Sequence, residues 1–171
     1  MRYSRFFSIF ISIFLFISCQ KPAPQLPANK PNETDSVGLA LLKINESLIV
    51  AEDSLIAGYV LKTDSIYTKD NQGFWYKINL ATKSEKLKEL ETCKISYSVY
   101  SLDKEFLFRK EEMITLGKKQ TITGIEELLK LMRKGEKATL ILPWYLAYGM
   151  KGEGGNVNPY TSVIVYLHLV Q

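Results

Sequence analysis

The sequence predicts an α+β fold: an antiparallel sheet packed on one short late helix, behind a helical N-terminal extension. Three patterns carry this expectation. Thr92 to Tyr100 alternates, with Cys93, Ile95, Tyr97 and Val99 on one face and Lys94, Ser96 and Ser98 on the other. Ser162 to Val170 alternates too, with Val163, Val165, Leu167 and Leu169 inward against Ile164, Tyr166 and His168. Between them, Ile125, Leu128, Leu129 and Met132 fall at helical spacing, and Gly135 stops the helix, which is expected over 125–133. Strands with one late helix make a domain whose helix lies against the sheet.

The first nineteen residues bear on the compartment. Arg2 and Arg5 precede an apolar run from Phe6 to Ile17, broken only by Ser8 and Ser12. The run is short of the roughly 20 apolar residues that span a bilayer and has the length of a signal-peptide core. It ends in Phe16-Ile17-Ser18-Cys19, which resembles a bacterial lipobox whose cysteine is acylated, with Phe16 where Leu is commonest. Residues 1–19 are therefore expected to be a lipoprotein signal peptide and Cys19 the lipidation site. The alternative is an uncleaved anchor with a chance cysteine. Two or three acyl chains, at about 0.8 kcal/mol per buried methylene, would hold the protein firmly at a membrane. The expected location faces the periplasm or cell surface, the outer membrane before the inner.

Residues 20–36 carry Pro22, Pro24, Pro27 and Pro31 among polar groups, a linker composition. Residues 37–72 form the extension, in which Leu48, Ile49, Leu55, Ile56, Tyr59 and Val60 share one helical face, with Asn45 as a candidate N-cap. That face must pack on something, either its own domain or another copy. Residues 73–171 hold the strands: an aromatic run at Gly73 to Ile78 after the turn signal Asp70-Asn71-Gln72, the two alternating segments, and a buried run from Ala138 to Leu142.

The composition removes several chemistries. One histidine and two cysteines leave little material for a metal centre or a nucleophile–histidine pair. His168 lies on the outward register of the last strand, and Cys93 among apolar neighbours is a poor nucleophile. The net charge of +4 is spread along the chain, with no basic run interleaved with aromatics to suggest nucleic acid. The stretch Gly149 to Gly155 follows no phosphate-loop pattern and leads into Pro159 and a strand, so it reads as a mobile loop. No metal or cofactor is expected.

Against this background, Thr121-Ile122-Thr123-Gly124-Ile125-Glu126-Glu127, Met132, Gly135, Ala138, Leu142-Pro143 and Leu146-Ala147-Tyr148-Gly149 resemble FKBP-type peptidyl-prolyl isomerases. Ile95-Ser96-Tyr97, Leu116-Gly117 and the tail Val157 to Val163 fit the same order, so the resemblance covers residues 73 to 171. With the lipobox and the Gly-Phe-Trp-Tyr strand, the chain resembles the gliding-motility-associated lipoprotein subgroup. The resemblance implies a twisted five-stranded antiparallel sheet wrapped on the short helix, with an apolar pocket between them. Carried over by position, it implies that Tyr97 and Phe106 form one wall and that Thr121 and Ile122 form the rim. The Ile122 N–H would be offered to a substrate carbonyl. Ile125 would be the floor, Tyr148 would present its hydroxyl, and Val157 and Val165 would close the far side.

The chain also departs from the family pattern. Ile125 replaces a floor tryptophan, and Leu107 stands where a carboxylate follows the wall phenylalanine. Asn156-Val157 replaces two aliphatics, and Val165 replaces an aromatic. The segment from Asp103 to Ile114 is short, so Phe106 and Phe108 can exchange places. The implied activity is isomerisation of prolyl bonds in exported polypeptide clients. The alternative is a weak or inactive binding module for apolar or proline-containing segments.

Overall fold

The computed structural model describes residues 33–170. The expected signal peptide, the lipidation site Cys19 and most of the expected linker lie outside them. The chain divides into two units, Met1–Leu41 and Leu42–Gln171. Of the first, only the opening turns of a helix are described.

Helix α1 runs Glu33–Leu61. It begins inside the expected linker, and Asn45 lies in its interior instead of capping it. No helix among the described residues is long and apolar enough to cross a membrane. Strand β1 (Thr68–Lys69) pairs with β2 (Trp75–Leu80), followed by β3 (Thr92–Ser101) and β4 (Phe106–Thr115). Helix α2 spans Thr123–Leu129, β5 spans Lys137–Leu142, a 3-10 turn covers Trp144–Leu146, and β6 is Val163–Val170. All pairings are antiparallel, in the order β1-β2-β5-β6-β3-β4. The sixth strand beyond the expected five is the two-residue β1.

Helix α2 starts two residues earlier than the apolar spacing suggests and ends at Leu129. Met132 is nevertheless fully buried, in the turn that follows. The inner face of the sheet meets α2 through Ile95, Tyr97 and Val99 on β3, Leu140 and Leu142 on β5, and Val165 and Leu167 on β6. The register explains this grouping: Val99 faces Val165, Val165 faces Leu140, and Tyr97 faces Leu167.

The expected outward face of β6 needs a correction. Ile164 is only 3% exposed, because Ile56 and Val60 of α1 cover it together with Ile141. The C-terminal half of α1 therefore docks on its own domain. The apolar face read from the sequence is only partly used, since Leu48 and Leu55 remain exposed. Glu52 and Asp53 in the same stretch of α1 reach the far end of β5. The Tyr145 hydroxyl donates to Asp53 at 2.8 Å, and the Ser162 hydroxyl donates to Glu52.

Candidate active site

A hollow of about 210 Å³ opens between the middle of β3, the facing part of β4, the start of α2 and the loop after β5. Tyr97, Phe108, Ile122 and Tyr148 line it, with Thr121, Lys110, Gln120 and Glu153 around the mouth. Each wall has a local cause. Tyr97 points inward because it shares the parity of the buried residues Ile95 and Val99. Thr121 and Ile122 are held by the turn into α2, where the buried Glu126 carboxylate accepts from the N–H groups of Gly117 at 2.9 Å and Lys119 at 3.2 Å. Gly124 lets α2 approach the sheet, since a Cβ there would lie 2.4 Å from Cδ2 of the fully buried Leu142.

Tyr148 follows the 3-10 turn. The Gly149 N–H donates to Trp144 O at 2.8 Å, and the Gly152 N–H donates to Tyr148 O at 3.1 Å. The beginning of the loop is thereby closed onto the body. Gly152 is required there because its φ is +74° and a Cβ would meet Val157 O at 2.2 Å.

Phe106 is not in this wall. A register shift between Val99 and Tyr100 pairs Tyr100 with Phe106 and Val99 with Phe108. One skipped residue in a strand switches the face of every side chain beyond it. Phe106 therefore lies on the outer face, 55% exposed and edge-on to Tyr100 at 5.4 Å. Phe108 takes the place expected of it, edge-on to Tyr97 at 6.5 Å and to Tyr148 at 5.9 Å.

Three other expected site residues lie behind the hollow. Ile125 and Val165 are fully buried and Val157 is 3% exposed, all within the main core and none among the lining side chains. They support the walls from beneath. The hollow is correspondingly shallower, with a more polar mouth, than the deep apolar pocket the resemblance implies.

The carboxylate missing at Leu107 is replaced from another position. The Tyr97 hydroxyl donates to Glu112 Oε1 at 3.2 Å, and Lys110 pairs with the same carboxylate at 2.7 Å. Glu112 follows Phe108 by four residues on β4, so it shares the inward parity and comes back to Tyr97 across the strand pair. Strand alternation alone could have flagged it once Phe108 was placed. Burial, reinforced by the negative charge of Glu112, pushes the Tyr97 hydroxyl well above the ordinary phenol range. Burial does the same to Tyr148, aided by the nearby Tyr97 and Glu153.

The Tyr148 and Thr121 hydroxyls are buried and have no hydrogen-bond partner of ordinary geometry, although Thr121 lies near enough to Tyr97 to affect its ionisation, and Tyr97 near enough to Tyr148 to affect that of Tyr148. The Ile122 N–H is engaged by no backbone or side-chain acceptor among the described residues. An unpaired buried donor costs about 1–3 kcal/mol, so these groups form a set of unused donors around one small space. Among the described residues, no three His, Cys, Asp or Glu side chains gather into a possible metal site.

Comparison with known proteins places this geometry. The sequence profile of the family described as FKBP-type peptidyl-prolyl cis-trans isomerase matches residues 83–169. An "FK506-binding protein" from Neisseria meningitidis serogroup A is 35% identical over 63 residues, covering 37% of this chain and 58% of that protein. This chain thus spans less than two thirds of that relative. "FK506-binding protein 2" of Yarrowia lipolytica is 30% identical over 128 residues, 72% of this chain and 88% of that protein. Among solved structures, a peptidyl-prolyl cis-trans isomerase from Pseudomonas syringae superposes with a TM-score of 0.61 at 21% identity, covering 74% of this chain and 93% of that one.

Proposed function

The chain belongs to the FKBP-type peptidyl-prolyl cis-trans isomerase family, and on that premise we propose that it catalyses prolyl isomerisation in the hollow between Tyr97, Phe108, Ile122 and Tyr148. The observation that carries this reading is the unpaired, buried Tyr148 hydroxyl beside an aromatic wall and a free Ile122 N–H. Amide resonance sets a barrier of about 18–20 kcal/mol, and uncatalysed X–Pro bonds turn over in tens to hundreds of seconds. At the twisted transition state the amide loses double-bond character and much of its dipole. An apolar wall disfavours the planar, more polar ground state relative to that twisted state. Donors fixed in advance hold the substrate carbonyl without reorganising during the reaction. Proceeding from about 0.01 to about 1000 per second requires roughly 7 kcal/mol of differential stabilisation. No acid, base or nucleophile is called for.

The two phenylalanines give the site assignment its test. In a proline-tetrapeptide isomerisation assay, Phe108→Ala is expected to lower kcat/KM at least tenfold, while Phe106→Ala leaves it within twofold. The reverse order would move the wall to the outer face and reject the assignment. The rate should also be independent of pH between about 6 and 9, because the ordinary tyrosine value near 10 is raised further for Tyr97 and Tyr148. Both hydroxyls then remain protonated donors throughout that range. A rate that falls as pH approaches 9 would mean that one of them ionises and the burial argument fails.

The proposal extends to location and clients. The Cys19 motif supports export and lipid attachment at a bacterial membrane, outer before inner, with residues 20–36 as spacer and 73–171 as the working domain. Clients are exported polypeptides containing proline. The resemblance to gliding-motility lipoproteins makes exported components of a motility machinery candidates among them. Cys19→Ala is expected to move the protein from the membrane fraction to the soluble exported fraction. Retention of this variant in the membrane fraction would remove the lipid anchor from the account.

A further inference from the structure

We propose that Asp53 and Glu52 of α1 are positioning residues for Tyr148, acting through the 3-10 turn that precedes it; this rests on the isomerase reading of the hollow. Two separate links join the helix to that turn. The Tyr145 hydroxyl donates to Asp53 Oδ1 at 2.8 Å. The Trp144 N–H donates to Ser162 Oγ at 3.1 Å, and the Ser162 hydroxyl donates onward to Glu52. Both carboxylates come from adjacent residues on the stretch of α1 whose Ile56 and Val60 are buried against the sheet.

Several details show that the turn is held by the helix and not merely placed near it. Tyr145 packs over Gly73, whose lack of a side chain makes room for it: a Cβ there would lie 2.8 Å from its Oη, and φ is +101°. Lys69 lies 3.4 Å from Asp53 Oδ2 on the opposite oxygen, which leaves Oδ1 facing Tyr145. From the turn, the chain reaches Tyr148 within three residues. Ala147 and Gly149 both donate to Trp144 O, at 3.2 and 2.8 Å, so a displacement of Trp144 moves the residues on both sides of Tyr148. At the other end, Tyr148 meets Phe108 edge-on at 5.9 Å, and its hydroxyl has no bond of its own to hold it. The ring is therefore aimed by its backbone, and its backbone is fixed by α1. This assigns a catalytic purpose to an extension that lies outside the matched residues 83–169.

A shift of about 1 Å in a group that must meet a transition state can cost as much as a hundredfold in rate. For the full-length protein, Tyr145→Phe and Asp53→Ala should each lower kcat about tenfold with KM for a proline tetrapeptide changed less than twofold. Asp53→Asn keeps an acceptor for the Tyr145 hydroxyl and should restore most of the turnover. Placed on a Tyr148→Phe background, Tyr145→Phe should have little further effect, because the two act as one unit. Hydrogen exchange at the Gly149 amide should accelerate at least tenfold in Asp53→Ala, and this readout does not depend on activity. If the wild type accelerates isomerisation but Asp53→Ala changes neither kcat nor Gly149 exchange, the positioning role is overturned. Additive losses on the Tyr148→Phe background would overturn it as well, leaving a structural contact. If the wild type itself leaves the uncatalysed rate unchanged, the isomerase reading fails, and Gly149 exchange still decides whether α1 holds the turn.

Discussion

Replacing Gly124 by alanine is expected to destabilise the domain by about 1–3 kcal/mol, the usual range for overpacking a filled core. The new Cβ would stand 2.4 Å from Leu142 Cδ2, 2.9 Å from Cδ1 and 3.1 Å from Cγ. A leucine at the surface would swing away, but Leu142 is fully buried between α2 and the sheet. Relief must therefore come from lifting α2, which carries Ile125, Leu128 and Leu129 out of contact with the sheet. Gly124→Val, with two further methyl groups, should exceed that range. Urea unfolding checks this: the midpoint should fall with an unchanged slope, and the melting temperature should drop by about 2–4 °C per kcal/mol for a chain of this size. Because Ile122 lies two residues before Gly124, activity should fall as well. A wild-type midpoint for Gly124→Ala would show that α2 can move at no cost, and the rim would lose its claim to rigidity.

Tyr148→Phe is expected to move stability and activity in opposite directions. The hydroxyl is buried with no partner, so removing it takes away a desolvation cost and should raise stability by up to about 1 kcal/mol. The ring remains and keeps its contact with Phe108. Turnover should fall about tenfold, a loss of about 1.4 kcal/mol of transition-state stabilisation. A residue that belonged to the core alone would show no such opposition, since trimming it would lower or leave both quantities. Calorimetry and the isomerisation assay on one preparation decide the matter. Loss of stability together with unchanged turnover would place the hydroxyl in a packing role.

Much of the fold was legible because it rests on periodicity. Alternation in β3 and β6 placed Cys93, Ile95, Tyr97, Val99, Val163, Val165, Leu167 and Leu169 on the inner face, where all are buried. The family pattern from Thr121 to Gly149 led to a hollow that Thr121, Ile122 and Tyr148 do line. What periodicity could not show was the break in it. The skipped residue on β4 sends Phe106 outward and Phe108 inward, and a short hairpin gives no sign of which side absorbs the irregularity. Glu112 was missed for the same reason, because its parity depends on where the shift occurs. Ile125 was read as the floor, and Val157 and Val165 as the far side, because the family has pocket residues there. All three sit within the core behind Tyr97 and Phe108, Ile125 and Val165 with smaller side chains than the family pattern has. Burial of Ile164 depended on where α1 docks, and its docking contacts join residues far apart in the chain.

The most direct measurement is the isomerisation rate of a proline tetrapeptide at increasing concentrations of the full-length protein, alongside Ile122→Asp. The rate is expected to rise in proportion to wild-type concentration, and the charged variant, with an unfolding free energy within about 1 kcal/mol of the wild type, to lose most of that slope. A wild-type line that stays flat at the uncatalysed rate, or a variant as active as the wild type, contradicts it.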